Sequence, residues 1–267
     1  PTAPGGSVIQ VAHSTRRDLP ACNLRAPMPF RNDNAGLPRC GLGPRALDDY
    51  EMLLNGAFAP LSSFMGRADY ESCLRTMRLA DGRLFPLPIT LPIDEALPAG
   101  TRVMLTEPGG EALAYLDIDE TFEIDPEVEA RALVGSTDTA YPYTRELMAG
   151  SRWRAGGRLT PLRPVPRADF VDLRLSPAQV RERVAALHRK NVVAFQTRNP
   201  LHRSHEELIK RAAHSLDATI LLHPVVGLTK PGDIDHFTRV RTYRALVEKH
   251  FEPGSIVLAL LPLAMRM

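Results

Sequence analysis

The sequence has no long hydrophobic run. Its longest uncharged apolar stretch, residues 255–265, is shorter than the roughly 18–20 residues of a transmembrane helix and contains Pro262. The first ten residues also lack the basic and apolar regions of a secretory signal. We therefore expect no membrane partner.

Paired cysteines and an excess of one charge are also lacking. Cys22, Cys40 and Cys73 are odd in number and do not have the spacing of a disulfide framework or a zinc site, which predicts a reducing, cytoplasmic location. Lys and Arg total 33 against 31 Asp and Glu, a net charge of +2. This balance argues against a polybasic nucleic-acid-binding chain, so we expect no nucleic-acid partner.

Proline and histidine are present in quantity but unevenly placed. The chain has 267 residues, which fits one large domain or two ordinary ones. Most of the 24 prolines lie in residues 1–167, whereas all histidines except His13 lie between His188 and His250. We predict two domains, 1–167 and 168–267.

The first domain is predicted to be mostly β. Helical patterns occur at Leu47–Leu54 and Ala68–Met77. Proline and glycine turns separate the short apolar runs that follow, which are Phe85–Ile93, Arg102–Thr106 and Ala112–Ile118. Pro86, Pro88 and Pro92 place the first run on a sheet edge or in a bend, because proline cannot donate to a central strand.

Residues 156–166, which begin with two glycines and hold three prolines, indicate a linker. Cations surround it: Arg152, Arg154, Arg158, Arg163 and Arg167, with Trp153 among them. This cluster is typical either of a nucleic-acid patch or of a solvated linker whose arginines pair with the acidic stretch 117–129.

From residue 168 strands alternate with helices. Ser176-Pro177 opens an amphipathic helix to His188. The later elements are strand Asn191–Gln196, helix Ser204–Ser215, strand Thr219–Val226, helix His236–His250 with Phe237 and Tyr243 on its apolar face, and strand Ser255–Leu261. Apolar strands separated by helices predict a parallel sheet, half of a doubly wound nucleotide-binding fold. We expect the chain to be a fragment of a longer protein, since it stops directly after a core strand.

Polar side chains concentrate after the first of these strands, in residues 196–207. Ser204 and Glu207 match a capping box, which predicts that a helix begins at the carboxyl end of the strand. A helix N-terminus at that edge favours an anion. Arg198 offers a planar fork of donors, and Gln196 and neighbouring Thr197 and Asn199 offer neutral ones.

Two histidines, His202 and His205, follow three residues apart. We expect both to contact the ligand; the alternative is a zinc site, for which the third ligand would be His223 or Asp233. A cation is poorly placed beside Arg198 and a helix N-terminus, which disfavours zinc.

A second polar segment, residues 227–236, follows the next strand. Lys230 provides a mobile charge for phosphate, and the nearby acids could reach Mg²⁺. It is not a Walker loop; the alternative is a turn in which Asp235 caps the next helix. Arg239 and Arg241 flank this junction, either as ion-paired residues or as part of the site.

The segment QTRNPLHRSHEEL, residues 196–208, closely resembles the Q-x-R-N-P-x-H-x-x-H signature of the ATP sulfurylase (sulfate adenylyltransferase) family. The resemblance extends through HPVVGLTKPGDIDHFTRVRTYRAL, LALLPLAMRM, GSTDTAYP and EMLLNGAFAPLSSFMGRADYESCLRTMRLADGRLFPLPITL. It implies an α/β chain in which a PUA-like, mostly-β N-terminal domain precedes a Rossmann-like nucleotidyltransferase domain, incomplete at the C-terminus.

The family's reaction joins MgATP and sulfate to give adenosine 5′-phosphosulfate and pyrophosphate. By resemblance, Gln196 and Arg198 hold sulfate, and Thr197, Arg198 and Asn199 form the catalytic core. ATP is bound by residues 196–199 together with His202, His205 and Lys230. Mg²⁺ accompanies ATP as cofactor, no protein metal site is expected, and a homo-oligomer is expected.

This sequence departs from the family pattern in two places. Pro4-Gly5-Gly6 stands where the family usually has His-Gly-Gly, and the family's G-R-D-H loop would lie beyond Met267. Two other functions remain open: a nucleotidyltransferase acting on a phosphorylated acceptor, and a PUA-like RNA-binding protein with a degenerate nucleotide domain.

Overall fold

The computed structural model describes residues 9–12, 36–228 and 232–266, the first of these by their backbone. Cys22, Pro4-Gly5-Gly6 and Lys230 therefore lie outside the described residues. The chain divides into two compact units.

Each unit is assembled from separate parts of the sequence. Of the described residues, 36–166 and 264–266 form one unit, here called the β unit. Strand 9–12 and residues 167–263 form the other, here called the parallel-sheet unit.

Nine strands and seven α-helices occur within the described residues. The strands are β1 Ile9–Ala12, β2 Arg39–Gly41, β3 Leu91–Pro92, β4 Arg102–Thr106, β5 Ala112–Glu123, β6 Trp153–Pro161, β7 Asn191–Thr197, β8 Ala218–Pro224 and β9 Ile256–Leu258. The helices are α1 Pro44–Leu54, α2 Arg67–Thr76, α3 Pro126–Val134, α4 Pro142–Ala149, α5 Pro177–Ala185, α6 Arg203–Leu216 and α7 His236–His250.

The β unit is built on a five-stranded sheet in the order β2-β4-β5-β6-β3. β2 runs parallel to β4, and the other neighbours are antiparallel. β3, which ends at Pro92, lies at the sheet edge. The edge position predicted from the prolines is confirmed, although only two residues of the predicted run Phe85–Ile93 form a strand.

The linker predicted over residues 156–166 is wrong, because its first part lies in β6 between β5 and β3. The two glycines serve close packing instead of flexibility. A Cβ on Gly157 would stand 2.1 Å from the carbonyl oxygen of Asp117, and one on Gly156 would stand 2.7 Å from the Cα of Gly66. The register of β5 and β6 shifts between Ile118 and Glu120, as at a β-bulge.

Several arginines of the cluster around β6 are paired inside the β unit. Arg158 Nη2 lies 3.2 Å from Asp117 Oδ2, as predicted for ion pairing with the acidic stretch. Arg163 pairs instead with two acids upstream of it, Glu107 at 3.0 Å and Glu111. Arg154 is 4% exposed and donates to backbone carbonyls. The contacts of Arg158 and Arg163 compensate two of the five positive charges that suggested a nucleic-acid patch.

The parallel-sheet unit contains a four-stranded sheet in the order β1-β7-β8-β9. β7, β8 and β9 are parallel to their neighbours, which confirms the predicted parallel sheet. β1 adds an antiparallel strand beside β7, with Ile9 opposite Phe195 and Ala12 opposite Val192. The sequence analysis did not identify this strand.

Helices cover both faces of this sheet. Ile209 of α6 and Tyr243 of α7 pack in one core cluster with Phe195 and Leu222. Val180 and other residues of α5 pack against the opposite face of the sheet. Burial on both faces explains why the strands are continuous apolar runs in the sequence.

Helix α7 has the predicted bounds, and its start confirms the capping role of Asp235, whose Oδ1 accepts from the Thr238 N–H at 2.9 Å. Ser176 likewise caps α5 in a capping box with Gln179. On the apolar face of α7, Tyr243 is fully buried, but Phe237 is 47% exposed. The predicted apolar face is therefore buried at Tyr243 and about half exposed at Phe237.

Candidate active site

The site predicted from the sequence lies where β7 and β8 end. In the parallel register Gln196 stands opposite His223, and Thr197 stands opposite Pro224. The loop after Thr197 leads into α6 within a few residues. In open parallel sheets this edge is where ligands bind, because successive loops converge there beside helix N-termini.

Helix α6 begins one residue earlier than predicted, and its N-cap is His202. The backbone N–H of His202 donates to Nδ1 of His205 at 3.2 Å, so an imidazole takes the part that Glu207 was predicted to play. Glu207 accepts instead from Arg211 at 2.6 Å, one turn later. The predicted capping box of Ser204 and Glu207 is therefore wrong, although the helix does start at the strand end.

The loop between β7 and α6 folds on its own side chains. The Thr197 hydroxyl donates to the carbonyl oxygen of Asn199 at 3.0 Å, and the Asn199 N–H lies 3.2 Å from the same hydroxyl oxygen. Thr197 is 7% exposed, while the Asn199 side chain reaches the surface. These contacts form a tight turn that sets the direction in which Arg198 leaves the strand.

Arg198 is paired across this edge with Asp233, from the segment after β8. The distance from Arg198 Nη1 to Asp233 Oδ2 is 3.6 Å, and the two side chains are 16% and 6% exposed. The structure thus brings the two polar segments of the sequence together. A guanidinium binds carboxylates and other oxyanions with the same fork of donors, so an incoming anion would compete with Asp233 for Arg198.

The histidines differ in environment. The rings of His202 and His205 are 5.6 Å apart, edge to face, and the His205 ring is 5.7 Å from Phe195. His223 is partly buried, and desolvation lowers its pKa to about 4. It is therefore neutral near pH 7, which leaves Arg198 as a fixed positive charge at this edge.

Within the described ranges no group of three or more His, Cys, Asp and Glu side chains is arranged to hold a metal ion. Nδ1 of His205 is also engaged by the His202 backbone. The structure therefore gives no support to the zinc alternative with His223 or Asp233 as third ligand.

The structure places Gln196, Thr197, Arg198, His202 and His205, with Asn199, at one edge of the parallel sheet. Lys230 lies outside the described residues. Arg239 and Tyr243 of α7 donate to backbone carbonyls of the loop. The sequence analysis named Arg239 at this junction, as an ion-paired residue or as part of the site, but did not identify Tyr243 as a contributor. Nothing in the pattern of α7 signals such contacts, since Tyr243 simply fits its apolar face.

Comparison with known proteins gives consistent matches. A family model described as ATP-sulfurylase matches residues 171–267, and one described as PUA-like domain matches residues 25–164. Proteins named sulfate adenylyltransferase are 42% identical in Mycosarcoma maydis, over 99% of this chain and 46% of theirs, and 43% identical in Schizosaccharomyces pombe, over 94% and 52%. The chain belongs to the ATP sulfurylase family.

A solved structure supports the same fold. "Hexameric APS kinase from Thiobacillus denitrificans" superposes with a TM-score of 0.70 at 28% identity, over 86% of this chain and 42% of that one. This ATP sulfurylase family chain thus combines a PUA-like domain with an α/β ATP-sulfurylase domain, as predicted. It spans about half the length of the curated relatives it matches.

None of the helices in the part of this ATP sulfurylase family chain that the structure describes is long and apolar enough to cross a membrane. Cys40 is partly buried, Cys73 is buried, and neither is in a disulfide. Burial raises the pKa of the Cys73 thiol to about 11, which makes it a poor nucleophile near pH 7.

Proposed function

We propose that this chain carries part of the active site of a sulfate adenylyltransferase, which converts MgATP and sulfate to adenosine 5′-phosphosulfate and pyrophosphate. The observation that carries the proposal is Arg198. Its guanidinium stands beside a carboxylate at the carboxyl edge of the parallel sheet, within the segment that matches the family signature. An arginine at this edge offers an oxyanion a planar fork of donors where parallel sheets bind ligands.

In this proposal Gln196 and Arg198 bind sulfate, and Thr197, Arg198 and Asn199 surround the reacting atoms. Residues 196–199 also contact ATP, together with His202, His205 and Lys230. For residues 196–199, His202 and His205, support comes from their placement between the end of β7 and the first turn of α6, where free N–H groups and the helix dipole favour phosphate.

The chemistry requires positioning more than proton transfer. A sulfate oxygen attacks the α-phosphorus of ATP, the new P–O bond forms, and the bond to pyrophosphate breaks with its electron pair on the leaving oxygen. Sulfate is unprotonated near neutral pH, so no general base is needed. The residues then act by aligning two anions that repel each other and by balancing charge in the transition state.

Mg²⁺ would enter with ATP, screening the negative charge of its phosphates. Mg²⁺ bound with a nucleotide is typically coordinated by phosphate oxygens and water, with one or two protein carboxylates. Asp233 and Asp235 are the nearby carboxylates after β8 that could supply an oxygen ligand.

The direct test is pyrophosphate release by the whole protein, with and without sulfate or molybdate. We expect pyrophosphate release to depend strictly on the anion. We expect Arg198→Ala to abolish this release while its circular dichroism spectrum stays unchanged. Arg189→Ala is the matched control, because Arg189 is exposed, pairs with Asp217, and precedes β7 at the opposite end from the site. Turnover retained in Arg198→Ala would overturn the assignment.

The same assay separates the alternatives. A nucleotidyltransferase acting on a phosphorylated acceptor would release pyrophosphate only with that acceptor, independently of sulfate. An RNA-binding function predicts retention of RNA that weakens steeply with salt. The paired state of Arg158 and Arg163 argues against the second alternative, and we propose that the protein has no nucleic-acid partner.

Three further properties are proposed with the function. A domain boundary is proposed near residue 167, between an N-terminal domain and the catalytic part of the chain to which strand 9–12 also contributes, and cleavage near residues 164–170 in limited proteolysis would support it. A homo-oligomer is proposed because the solved relative is described as hexameric, and sedimentation would test it. A cytoplasmic location is proposed from the cysteine pattern and can be checked by cell fractionation.

A further inference from the structure

Two buried residues of α7 donate hydrogen bonds to the loop that carries Arg198. Arg239 is 2% exposed, and its Nη1 donates to the carbonyl oxygen of Arg198 and to that of Val225, each at 2.8 Å. One guanidinium nitrogen thereby joins the turn after β7 to the chain directly after β8. The sheet edge is fixed at the point where the two loops separate.

Tyr243 lies one turn further along α7 and holds the next carbonyl. Its hydroxyl donates to the Asn199 oxygen at 2.8 Å, the same oxygen that receives the Thr197 hydroxyl. Tyr243 is fully buried, and burial raises the pKa of its phenol to about 12. It therefore remains a protonated donor throughout the physiological range.

Arg239 has no carboxylate partner within the described part of the chain, and its buried Nε atom has no hydrogen-bond partner there. Burying a guanidinium without a counter-ion is costly, so an apolar side chain at this position would stabilise the fold more simply. The hydrogen bonds that Arg239 does make go to the carbonyls of Arg198 and Val225 at the edge of the site. This points to a function in loop geometry.

We infer that Arg239 and Tyr243 are positioning residues for the proposed reaction. They fix the peptide groups on both sides of residue 199 and so set where the Arg198 guanidinium stands relative to the bound anions. The catalytic part of this inference rests on the proposed function; the geometric part does not.

The test compares Arg239→Lys and Tyr243→Phe with matched controls in the other unit. Arg154→Lys changes a buried arginine that also donates to carbonyls, and Tyr50→Phe removes a buried hydroxyl that donates to the carbonyls of Leu113 and Arg163. All four changes remove buried hydrogen bonds, but only the first two touch the loop.

We expect hydrogen exchange in the peptide covering 196–206 to accelerate in Arg239→Lys and Tyr243→Phe and to stay unchanged in both controls. In the whole protein, kcat/KM for sulfate should fall roughly tenfold in Tyr243→Phe and roughly a hundredfold in Arg239→Lys, because misplacement by about 1 Å costs that much. If the residues act through Arg198, Tyr243→Phe should weaken sulfate binding in calorimetry, whereas Tyr50→Phe should leave it unchanged.

Unchanged exchange in that peptide, or a loss of kcat/KM no larger than in Tyr50→Phe, would overturn the inference. An inactive wild-type protein would instead overturn the proposed function, and the exchange and sulfate-binding measurements would still decide the positioning role.

Discussion

The neutral state of His223 makes the stability of the parallel-sheet unit depend on pH. The imidazole is partly buried at the end of β8, and desolvation lowers its pKa to about 4 from a usual value near 6.5. The unfolded chain therefore binds a proton more readily than the folded chain between these values. The contribution of neutral His223 to the free energy of unfolding is therefore fully present above pH 6.5, and it is lost as pH falls toward 4.

The difference between the two pKa values corresponds to about 3 kcal/mol, of which about 2 kcal/mol should be lost between pH 7 and pH 5. The assay is urea unfolding of wild type and His223→Gln across this range. Relative to the variant, the wild-type free energy of unfolding should decline by that amount on acidification. His214→Gln is the control, because His214 is exposed on α6 and should add no such difference.

A nuclear magnetic resonance titration checks the same point directly. The ring protons of His223 should not shift between pH 8 and pH 5.5. A midpoint near 6.5, together with parallel pH dependence in wild type and His223→Gln, would refute the reasoning, since the imidazole would then be as well hydrated as in the unfolded chain.

Two other changes probe packing and charge. Gly157→Ala should destabilise the β unit by at least about 2 kcal/mol in thermal or urea unfolding, because the new Cβ meets the Asp117 backbone oxygen. Gly41→Ala is the control and should cost little, because the nearest atom to its new Cβ is 3.9 Å away. Equal effects of the two changes would contradict the close approach at Gly157. Asp233→Asn removes the carboxylate that competes with an anion for Arg198, so calorimetry should show roughly fivefold tighter sulfate binding; weaker binding would mean that Asp233 orients Arg198 instead.

The sequence predicted the parallel-sheet unit well because its physical signals are local. Apolar strands buried on two faces, the cap at Ser176 and the cap at Asp235 each follow from neighbouring residues. Among the elements that were missed, β1 depends on a distant partner. β1 is only four residues long and gains its identity from pairing with β7.

The linker error has the same origin. In the sequence, Gly156 and Gly157 are typical of a flexible linker. In the fold, the backbones of Asp117 and Gly66 pack so closely against them that a Cβ would not fit. Ser204 matched a cap locally, but the His205 ring bonds the His202 N–H and starts α6 earlier. At the site, the sequence indicated the loop residues themselves; the contacts from Arg239 and Tyr243 cross about forty residues of sequence and become visible only in the fold.

The central claim is that an oxyanion binds at the carboxyl edge of β7, held by Arg198 and the start of α6. The most direct measurement is the anomalous scattering of selenate, a sulfate analogue, in crystals of the whole protein. We predict a selenium peak within hydrogen-bonding reach of the Arg198 guanidinium and the Gln196 side chain, and its loss in Arg198→Ala. Selenate bound elsewhere, with Arg198 still paired to Asp233, would contradict the account.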